Sequence, residues 1–404
     1  MKQIMATATS LRLRRFMSAM AVVGGLAWFS LSQSPGKAHA TPPTSLPIPK
    51  STLPPEPTKG TARAIAAGLY WLAKHQAPQG NWSLQKYTDM CKDKTCTGAA
   101  TQESLSAATA LGLLPFLAAG QTQTSNGPFK KTIAAGVDWL LNHQKPDGDL
   151  SADAGSQTYS HGLATVVLCE DFGITHDKVV GLAAQKAIDF IEAAQNPTTG
   201  GWRNEPTDHG GMSTFAWQLT ALKSAQLAGL TVKPATLDGA KKWLESCGAG
   251  GEKVGQFSFQ PHGEPTLAMS AAGILANQYL NADRKDTVNT GGIQFLMAHL
   301  PDSENYNVYY WFNGTQAMHN MADKDWDTWN QTVDKALVKS QSRTGCASGS
   351  WDPEKPNQEA WGPLGGRIMQ TSLSVLTLEV YYRYLPLYQL DKPQAGPVTD
   401  SEKK

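Results

Sequence analysis

The side chains best suited to chemistry in this sequence stand where long apolar stretches begin. They combine hydroxyl, imidazole, carboxyl, amide and indole groups with one guanidinium, and they are Tyr159, His161, Asp208, His209, Glu264, Tyr310, Trp311, Gln316 and Arg367. His161 and Glu264 are the candidates for acid–base catalysis, because burial in a cleft shifts the protonation of such groups. The set as a whole is a candidate for ligand binding, with Arg367 as the cation for an anionic headgroup or a carboxylate.

Several of these residues also have a structural interpretation. Asp208, together with Ser160 and Ser213, suits a helix N-cap. Tyr310 and Trp311 suit the packing of a core. A metal site built from the histidines and carboxylates of the set lacks a local ligand spacing such as HExxH. We therefore predict no metal and no cofactor at these positions, and the identity of any catalytic residue stays open.

The chain has five cysteines, so at least one thiol is unpaired or pairs with another chain. Cys91 and Cys96 stand five residues apart in the polar segment MCKDKTCTG and are the candidates for a disulfide. A Cys-x4-Cys zinc half-site is the alternative, although no matching His/Cys pair stands out nearby. Cys169 falls in an apolar run and suits a small core residue.

An internal repeat organises the rest of the sequence. Three segments share one spacing, in which an aromatic residue precedes Gln by five positions and Gly and an apolar residue follow: Trp71, Gln76, Gly80 and Trp82; Trp139, Gln144, Gly148 and Leu150; Phe190, Gln195, Gly201 and Trp202. Looser copies surround Trp243 and Phe295 and run from Gln341 to Trp351. Six repeats at this period predict six copies of one supersecondary unit.

Each copy is predicted to form two helices joined by a turn rich in Gly, Pro, Asn and Asp. The second helices are predicted at 107–119, 161–172, 213–230, 265–280, 315–321 and 371–387. They are apolar on most faces, as expected for helices covered on one side and lining an interior on the other. The first helices carry the charges and should lie outside.

These repeats resemble the prenyltransferase and squalene-oxidase repeat family. The likeness rests on the Gln...Gly-x-Trp spacing, on FAWQLTALKSA from Phe215 to Ala225 and on GSWDP from Gly349 to Pro353, and it spans roughly residues 60–388. The resemblance implies an all-α fold, an α/α toroid of about six helical hairpins, and places the chain with the exported bacterial single toroids. It also implies that the repeat Gln and Trp clamp neighbouring outer helices and are structural.

The catalytic motifs of that family do not occur in this sequence. Squalene-hopene type cyclases use a DxDD acid, whereas the nearest carboxylates here, Asp147 with Asp149 and Asp323 with Asp325 and Asp327, suit turns or caps. The Asp-x-Cys zinc motif of protein prenyltransferases, the DDxxD of class I terpenoid enzymes and the Cys-Gly-Glu-Gln of thioester domains are also absent. Whether the chain is an enzyme is therefore left open.

The inner helices of a toroid run side by side, so their N-terminal ends should surround one mouth of a central cavity. The resemblance implies that this cavity is lipophilic, and we expect it to bind an isoprenoid-type ligand. Two alternatives remain: a structural or protein-interaction module, and an enzyme with an altered active site acting on an isoprenoid or a polysaccharide. A net charge of +1 without a dense Lys/Arg run argues against nucleic acid as a partner, and the oligomeric state is open.

The first 40 residues have the pattern of an export signal. Arg12, Arg14 and Arg15 precede an apolar stretch at 16–31, and the small residues of Ala38-His39-Ala40 predict cleavage after Ala40. The stretch is shorter than the roughly 20 residues that span a bilayer, which disfavours the alternative of a membrane anchor. We expect a periplasmic or extracellular protein with no transmembrane segment after cleavage, exported by either the Sec or the twin-arginine route.

The mature chain divides into three parts by composition. Residues 41–60 are Pro-rich and predict an extended linker. The toroid domain is expected at 61–390, and residues 391–404 are predicted to be a disordered tail.

Overall fold

The structure is a computed structural model that describes residues 58–151, 157–281, 283–302, 306–321 and 324–380. These residues contain twelve α-helices, two short 3-10 turns and two isolated β-bridges. The predicted signal peptide, residues 41–57 of the predicted linker and the predicted tail lie outside the described residues. In the part of the chain that the structure describes, no helix combines the length and apolarity needed to cross a membrane.

The odd-numbered helices form an outer layer. They are α1 (Lys59–Lys74), α3 (Lys130–His143), α5 (Lys178–Ala194), α7 (Pro234–Cys247), α9 (Thr287–Met297) and α11 (Lys324–Ser340). These helices are amphipathic, as α1 illustrates: it buries Ile65, Leu69 and Leu72 on one face and exposes Arg63 and Lys74 on the other. The charged faces therefore lie outside, as the sequence predicts.

The even-numbered helices form an inner ring. They are α2 (Leu105–Ala118), α4 (Gln157–Thr175), α6 (Met212–Leu227), α8 (Leu267–Leu280), α10 (Val308–Met321) and α12 (Gly362–Leu378). Each inner helix contacts the next one, and α12 contacts α2, so the ring is closed. In α2 every residue from Ser106 to Ala118 is buried, because the outer helices cover one side and the inner neighbours the other. Six hairpins thus form an α/α toroid.

In four of the six repeats, a glutamine joins the turn to the next outer helix. The side-chain amide of Gln76 donates to the carbonyls of Gly80 and Thr132, and that of Gln341 donates to Gly349 and Ala64 at 2.8–2.9 Å. Gln144 and Gln195 make the corresponding pairs of bonds in their repeats. The bond from Gln341 to α1 closes the ring, so the region where the first and last repeats meet is called the seam below.

Glycine is required in these turns. Gly80 and Gly349 both have φ +97°, in the left-handed region. A Cβ atom at these positions would lie 2.2 Å from the carbonyl oxygen of Ala135 and 2.3 Å from that of Ala67. The turn therefore packs its backbone directly against the next outer helix, which explains the Gly in the repeat.

Tryptophans of the repeat fill the space between the layers. Trp82, Trp202 and Trp351 are fully buried. Each indole N–H donates to a carbonyl of the preceding outer helix at 2.8 Å, with Leu72, Ile191 and Leu337 as the acceptors. The structural role that the family resemblance implies for the repeat Gln and Trp agrees with these contacts.

Two of the predicted inner helices begin seven or more residues earlier in the structure. The fifth runs from Val308 rather than 315, so the aromatic segment at 308–311 is helical and buried. The sixth begins at Gly362 rather than 371, and its predicted end at 387 lies outside the described residues. Asn313 and Gly314 precede the first predicted start, and Gly and Pro at 362–366 precede the second, but packing of the inner ring outweighs these weak local preferences.

All five cysteines are free thiols in the structure, including Cys91 and Cys96, which the sequence predicts as a disulfide. Cys169 is fully buried within α4, in agreement with its prediction as a core residue.

Candidate ligand-binding site

A cavity of about 210 Å³ opens at one mouth of the ring. The first turns of five inner helices surround it, since α2, α4, α6, α10 and α12 each contribute residues near their N-terminal ends. Its lining residues are Leu84, Gln102, Glu103, Ser104, Ala107, Leu111, Tyr159, Ser160, Asn204, Ser213, Thr214, Tyr309, Trp361, Leu364, Gly365 and Met369. The cavity is thus apolar and aromatic with a hydroxyl-rich rim, the usual character of a small-molecule site.

Three aromatic side chains shape the cavity. The Tyr309 and Trp361 rings pack edge to face with centroids 6.1 Å apart. The Tyr159 hydroxyl accepts a hydrogen bond from the indole N–H of Trp217 at 3.1 Å, and Trp217 stacks on Phe312. These contacts hold the ring of Tyr159 in place on the wall of the cavity.

Two polar atoms of this aromatic wall are buried without a hydrogen-bond partner among the described residues. They are the hydroxyl oxygen of Tyr309, whose side chain is 4 % exposed, and the indole nitrogen of Trp361. A buried donor that makes no hydrogen bond costs about 1–3 kcal/mol. The structure thus leaves two donors, on rings whose centroids lie 6.1 Å apart, without an acceptor.

Two carboxylates near the mouth are engaged by the backbone. Glu103 lines the cavity, but it accepts from the N–H groups of Leu84 at 2.8 Å and Ser104 at 3.1 Å and from the hydroxyl of Ser83. Among the described residues that line the cavity, Glu103 is the sole carboxylate. Its oxygens are therefore committed to fixing the chain that leads into α2.

Glu359, in the segment before α12, performs a similar task. It is fully buried and accepts from Val308 N–H at 3.2 Å and from Trp361 N–H at 2.7 Å. Burial raises its pKa to about 7. This one carboxyl group therefore fixes the backbone at Trp361 and at Val308, the residue before Tyr309.

His161, predicted as a catalytic candidate, lies inside the wall of the ring and not on the cavity surface. The N–H of Leu150 donates to its Nδ1 at 3.0 Å, so Nε2 carries the proton and donates to the carbonyl of Ala187 at 3.0 Å. Asp149 lies 3.7 Å from Nδ1. Burial dominates over this carboxylate and lowers the pKa of His161 to about 4, so the imidazole is neutral at pH 7.

The bond that His161 accepts recurs in other repeats. Trp82 N–H donates to the hydroxyl of Thr109, and Trp351 N–H donates to that of Thr371, both at 3.2 Å. His161 therefore occupies the position of an inner-helix threonine, and its contacts are those of a structural residue.

Replacing His161 with Thr should flatten the pH dependence of stability. An unfolded histidine takes up a proton near pH 6.5, whereas folded His161 does so only near pH 4. The contribution of His161 to the free energy of unfolding is therefore fully present above about pH 6.5. It is lost as the pH falls toward 4, by about 3 kcal/mol in total. Urea unfolding at pH 7 and pH 5 checks this difference, and equal pH dependence in both proteins contradicts it.

Three predicted binding residues lie in turns outside the cavity. Asp208 and His209 belong to the turn before α6, where Asp208 accepts from Glu205 N–H at 3.1 Å. Glu264 lies before α8 and is 93 % exposed, with Lys253 at 3.7 Å. An acid so exposed lacks the burial that the catalytic prediction for Glu264 requires.

Three further predicted residues are buried in α10 and do not line the cavity. The hydroxyl of Tyr310 donates to the carbonyl of His299 at 2.7 Å. Trp311 packs edge to face with Tyr306, and Gln316 bonds to the backbone of its own helix. Tyr159 is the member of the predicted set that the structure places on the cavity wall.

Arg367, predicted as the cation of the mouth, is 1 % exposed. Its guanidinium forms an ion pair with Asp352 at 2.7 Å and donates to the carbonyl of Thr97 at 2.6 Å and the hydroxyl of Ser350 at 3.1 Å. The guanidinium is therefore engaged by these partners inside the protein, and Arg367 is not among the residues that line the cavity.

Sequence reasoning missed Trp361, Glu103 and Ser104. Ser104 was detectable as an N-cap before an apolar run, and in the structure its hydroxyl accepts from Ala107 N–H at 3.2 Å. Trp361 stands in AWGPLGG immediately before α12, and the start of an inner helix lies at the mouth of the ring. The start of each inner helix was thus the useful signal, once the helix boundaries were known.

No protein-family model and no curated protein sequence matches the chain, but solved structures do. The GH76A alpha-1,6-mannanase from Salegentibacter sp. HEL1_6 is 10% identical, with TM-score 0.56 over 80% of this chain and 99% of that one. A novel alpha-amylase from Clostridium perfringens is 13% identical, with TM-score 0.54 over 79% and 98%. The type II terpene cyclase MstE from Scytonema is 10% identical, with TM-score 0.53 over 82% and 100%.

At such low identity these likenesses concern the fold. The chain is an all-α protein with the α/α toroid fold that terpene cyclases and GH76 mannanases also have, so the predicted fold class and the predicted terpene-cyclase-like toroid are confirmed.

Proposed function

We propose that the chain is an exported, ligand-binding toroid whose mouth cavity holds part of a neutral, isoprenoid-type molecule. The observation that carries this proposal is the pair of buried donors, Tyr309 O–H and Trp361 N–H, set in an aromatic and apolar wall. Both groups donate, so the polar group of the ligand is an acceptor such as a hydroxyl, ether or carbonyl oxygen. The proposed export rests on the signal pattern that ends at Ala40.

The lining favours a neutral ligand over a diphosphate. No Lys, Arg or His belongs to the described residues that line the cavity, and Arg367 is already paired with Asp352. The volume of about 210 Å³ is below the about 300–1,000 Å³ of sites that enclose a drug-sized molecule. We therefore expect the polar end of a prenyl chain to enter, with the rest of the chain lying across the mouth.

The hydrogen bonds of the two carboxyl groups fit a protein that binds its ligand without turnover better than they fit an enzyme. Glu103 and Glu359 are both held by backbone N–H groups and support the wall of the cavity. A glycoside hydrolase needs two carboxyl groups facing its substrate, whereas the described lining contains Glu103 alone. A structure of a variant of the terpene cyclase MstE in complex with geranylgeranyl dihydroxybenzoate illustrates that an isoprenoid fits this fold.

Tyr309→Phe should weaken the binding of geranylgeraniol about tenfold, equivalent to about 1.4 kcal/mol, because the hydroxyl that donates to the ligand is removed. Quenching of tryptophan fluorescence, with Trp361 at the site, reports the dissociation constant. Geranylgeranyl diphosphate should bind no more tightly than the alcohol.

Tyr310→Phe is the matched control, because the neighbouring hydroxyl bonds to the His299 carbonyl away from the cavity. Its affinity for geranylgeraniol should equal that of the wild type. Absence of binding by the wild-type protein, or equal weakening by both variants, contradicts the proposal.

A further inference from the structure

Three cysteines and one histidine from distant parts of the chain meet at the seam of the ring. His75 follows α1, Cys91 and Cys96 lie in the loop between α1 and α2, and Cys346 lies in the turn after α11. One ligand atom of each, the imidazole nitrogen and three sulfurs, lies within 4.8 Å of all the others. We propose that these four residues form a structural zinc site that fastens the first repeat to the last.

The imidazole is oriented as a zinc ligand is. Its Nδ1 lies 2.7 Å from the carbonyl of Trp71, to which it can only donate, so Nε2 presents its lone pair. This nitrogen faces Cys346 Sγ at 3.4 Å and Cys96 Sγ at 3.6 Å. The ring of His75 also stacks on Trp71 with centroids 4.2 Å apart. Metal-bound histidines almost always have such a second hydrogen bond, which sets the tautomer and the ring orientation.

The distances suit a tetrahedral ion. With Zn–S of about 2.3 Å and Zn–N of about 2.0–2.1 Å, neighbouring ligand atoms of a tetrahedron are about 3.6 Å apart for N and S and about 3.8 Å for two sulfurs. The two observed N···S distances of 3.4 and 3.6 Å agree with the first value. The remaining pairs of ligand atoms lie within 4.8 Å of one another, so coordination would draw them together by about 1 Å at most.

The chemical composition of the cluster favours zinc and a structural role. Three thiolates and one imidazole are a ligand set of structural zinc sites, which have four protein ligands and no open position. Cys91, Cys96 and His75 are buried, and the rings of Trp71 and Tyr87 cover the histidine. Cys91 Sγ also contacts a carboxylate oxygen of Asp93 at 3.2 Å.

The surroundings tie this site to the closure of the ring. Thr97, next to Cys96, accepts a hydrogen bond from Arg367 of α12 through its carbonyl. Gln341, five residues before Cys346, bonds to Ala64 of α1. A zinc ion at the cluster would join these same segments, namely α1, the loop after it and the turn after α11. Its loss is expected to loosen the seam.

A disulfide is the competing use of the same thiols in an oxidising compartment. It would require two sulfurs about 2.05 Å apart and would involve two of the three cysteines. It would leave the third thiol and the oriented Nε2 of His75 without a function. The full arrangement of three sulfurs around one nitrogen is accounted for by a metal.

Metal analysis of the purified mature chain tests the proposal. We expect one zinc per chain, replacement by Co²⁺ with the visible absorption of a tetrahedral thiolate complex, and a melting temperature that falls by more than about 5 °C when a chelator removes the metal. Cys346→Ser and His75→Gln should each lose most of the bound zinc. Cys247→Ser, which removes a buried thiol outside the cluster, should retain one zinc per chain.

The Co²⁺ spectrum of the wild-type protein gives a result even if a ligand variant fails to fold. The proposal is overturned if the folded protein contains no zinc and takes up neither Zn²⁺ nor Co²⁺. It is also overturned if peptide mapping shows a disulfide between two of the three cysteines in the native protein. These outcomes do not depend on ligand binding at the mouth cavity.

Discussion

Trp82→Ala should lower the free energy of unfolding by about 3–5 kcal/mol. Trp82 is fully buried, and its indole N–H donates to the Leu72 carbonyl at 2.8 Å. A Cβ atom at Gly112 of α2 would lie only 2.4 Å from the indole, so the ring and the inner helix are in close contact. Truncation leaves both a cavity between the two layers and an unpaired carbonyl. Urea denaturation of the variant and the wild type measures the change.

Two controls separate packing from hydrogen bonding. Trp82→Phe retains an aromatic ring and should lose less than the alanine variant, because it forfeits the hydrogen bond and part of the volume. Leu182→Ala changes a residue of α5 that is 70 % exposed and should alter stability by less than about 0.5 kcal/mol. If Trp82→Ala unfolds at the same urea concentration as Leu182→Ala, Trp82 does not clamp the layers.

Arg367→Met should lower the free energy of unfolding by about 3–5 kcal/mol, because it leaves the carboxylate of Asp352 inside the protein without its cation. The side chains of the pair are 2 % and 10 % exposed and lie 2.7 Å apart. The same change also removes the donor to Thr97, which fixes the loop at the seam. Thermal and urea unfolding report the loss.

The double variant Arg367→Met with Asp352→Asn should recover part of this stability, because no uncompensated charge remains. Arg343→Met is the matched control, since Arg343 is exposed and donates to the Val338 carbonyl. We expect folded Arg367→Met to bind geranylgeraniol as the wild type does. A stable variant with impaired binding would instead restore Arg367 to the ligand site.

The ring was predictable because its determinants are local and repeated. Each Gln, Gly and Trp acts within one hairpin and its neighbour, as the two bonds of Gln76 and the indole bond of Trp82 illustrate. The same local spacing therefore recurs in the sequence, and the outer and inner helices follow from their polar and apolar faces. The errors at the starts of α10 and α12 arose where tertiary packing, not the residues themselves, decides the helix boundary.

The side-chain clusters were harder to predict from the sequence, because they form only when separate repeats pack together. His75 and Cys346 are 271 positions apart, so no sequence spacing links them. Tyr309 in α10 and Trp361, immediately before α12, come together only when the last two hairpins pack against each other. His161 attracted attention as a histidine, yet its position in the repeat is that of Thr109 and Thr371. The shared hydrogen bond that identifies this structural role is seen only in the three-dimensional structure.

The Gln341–Ala64 bond joins residues 277 positions apart and makes the repeat array a circle. An open solenoid gains or loses repeats at its ends and thereby changes its length. In a circle, an added hairpin would change the angle at every junction between neighbours. We therefore expect the homologues of this chain to keep six hairpins and to diverge mainly in the connections at the mouth, where sequence changes alter the lining of the cavity without altering the number of hairpins.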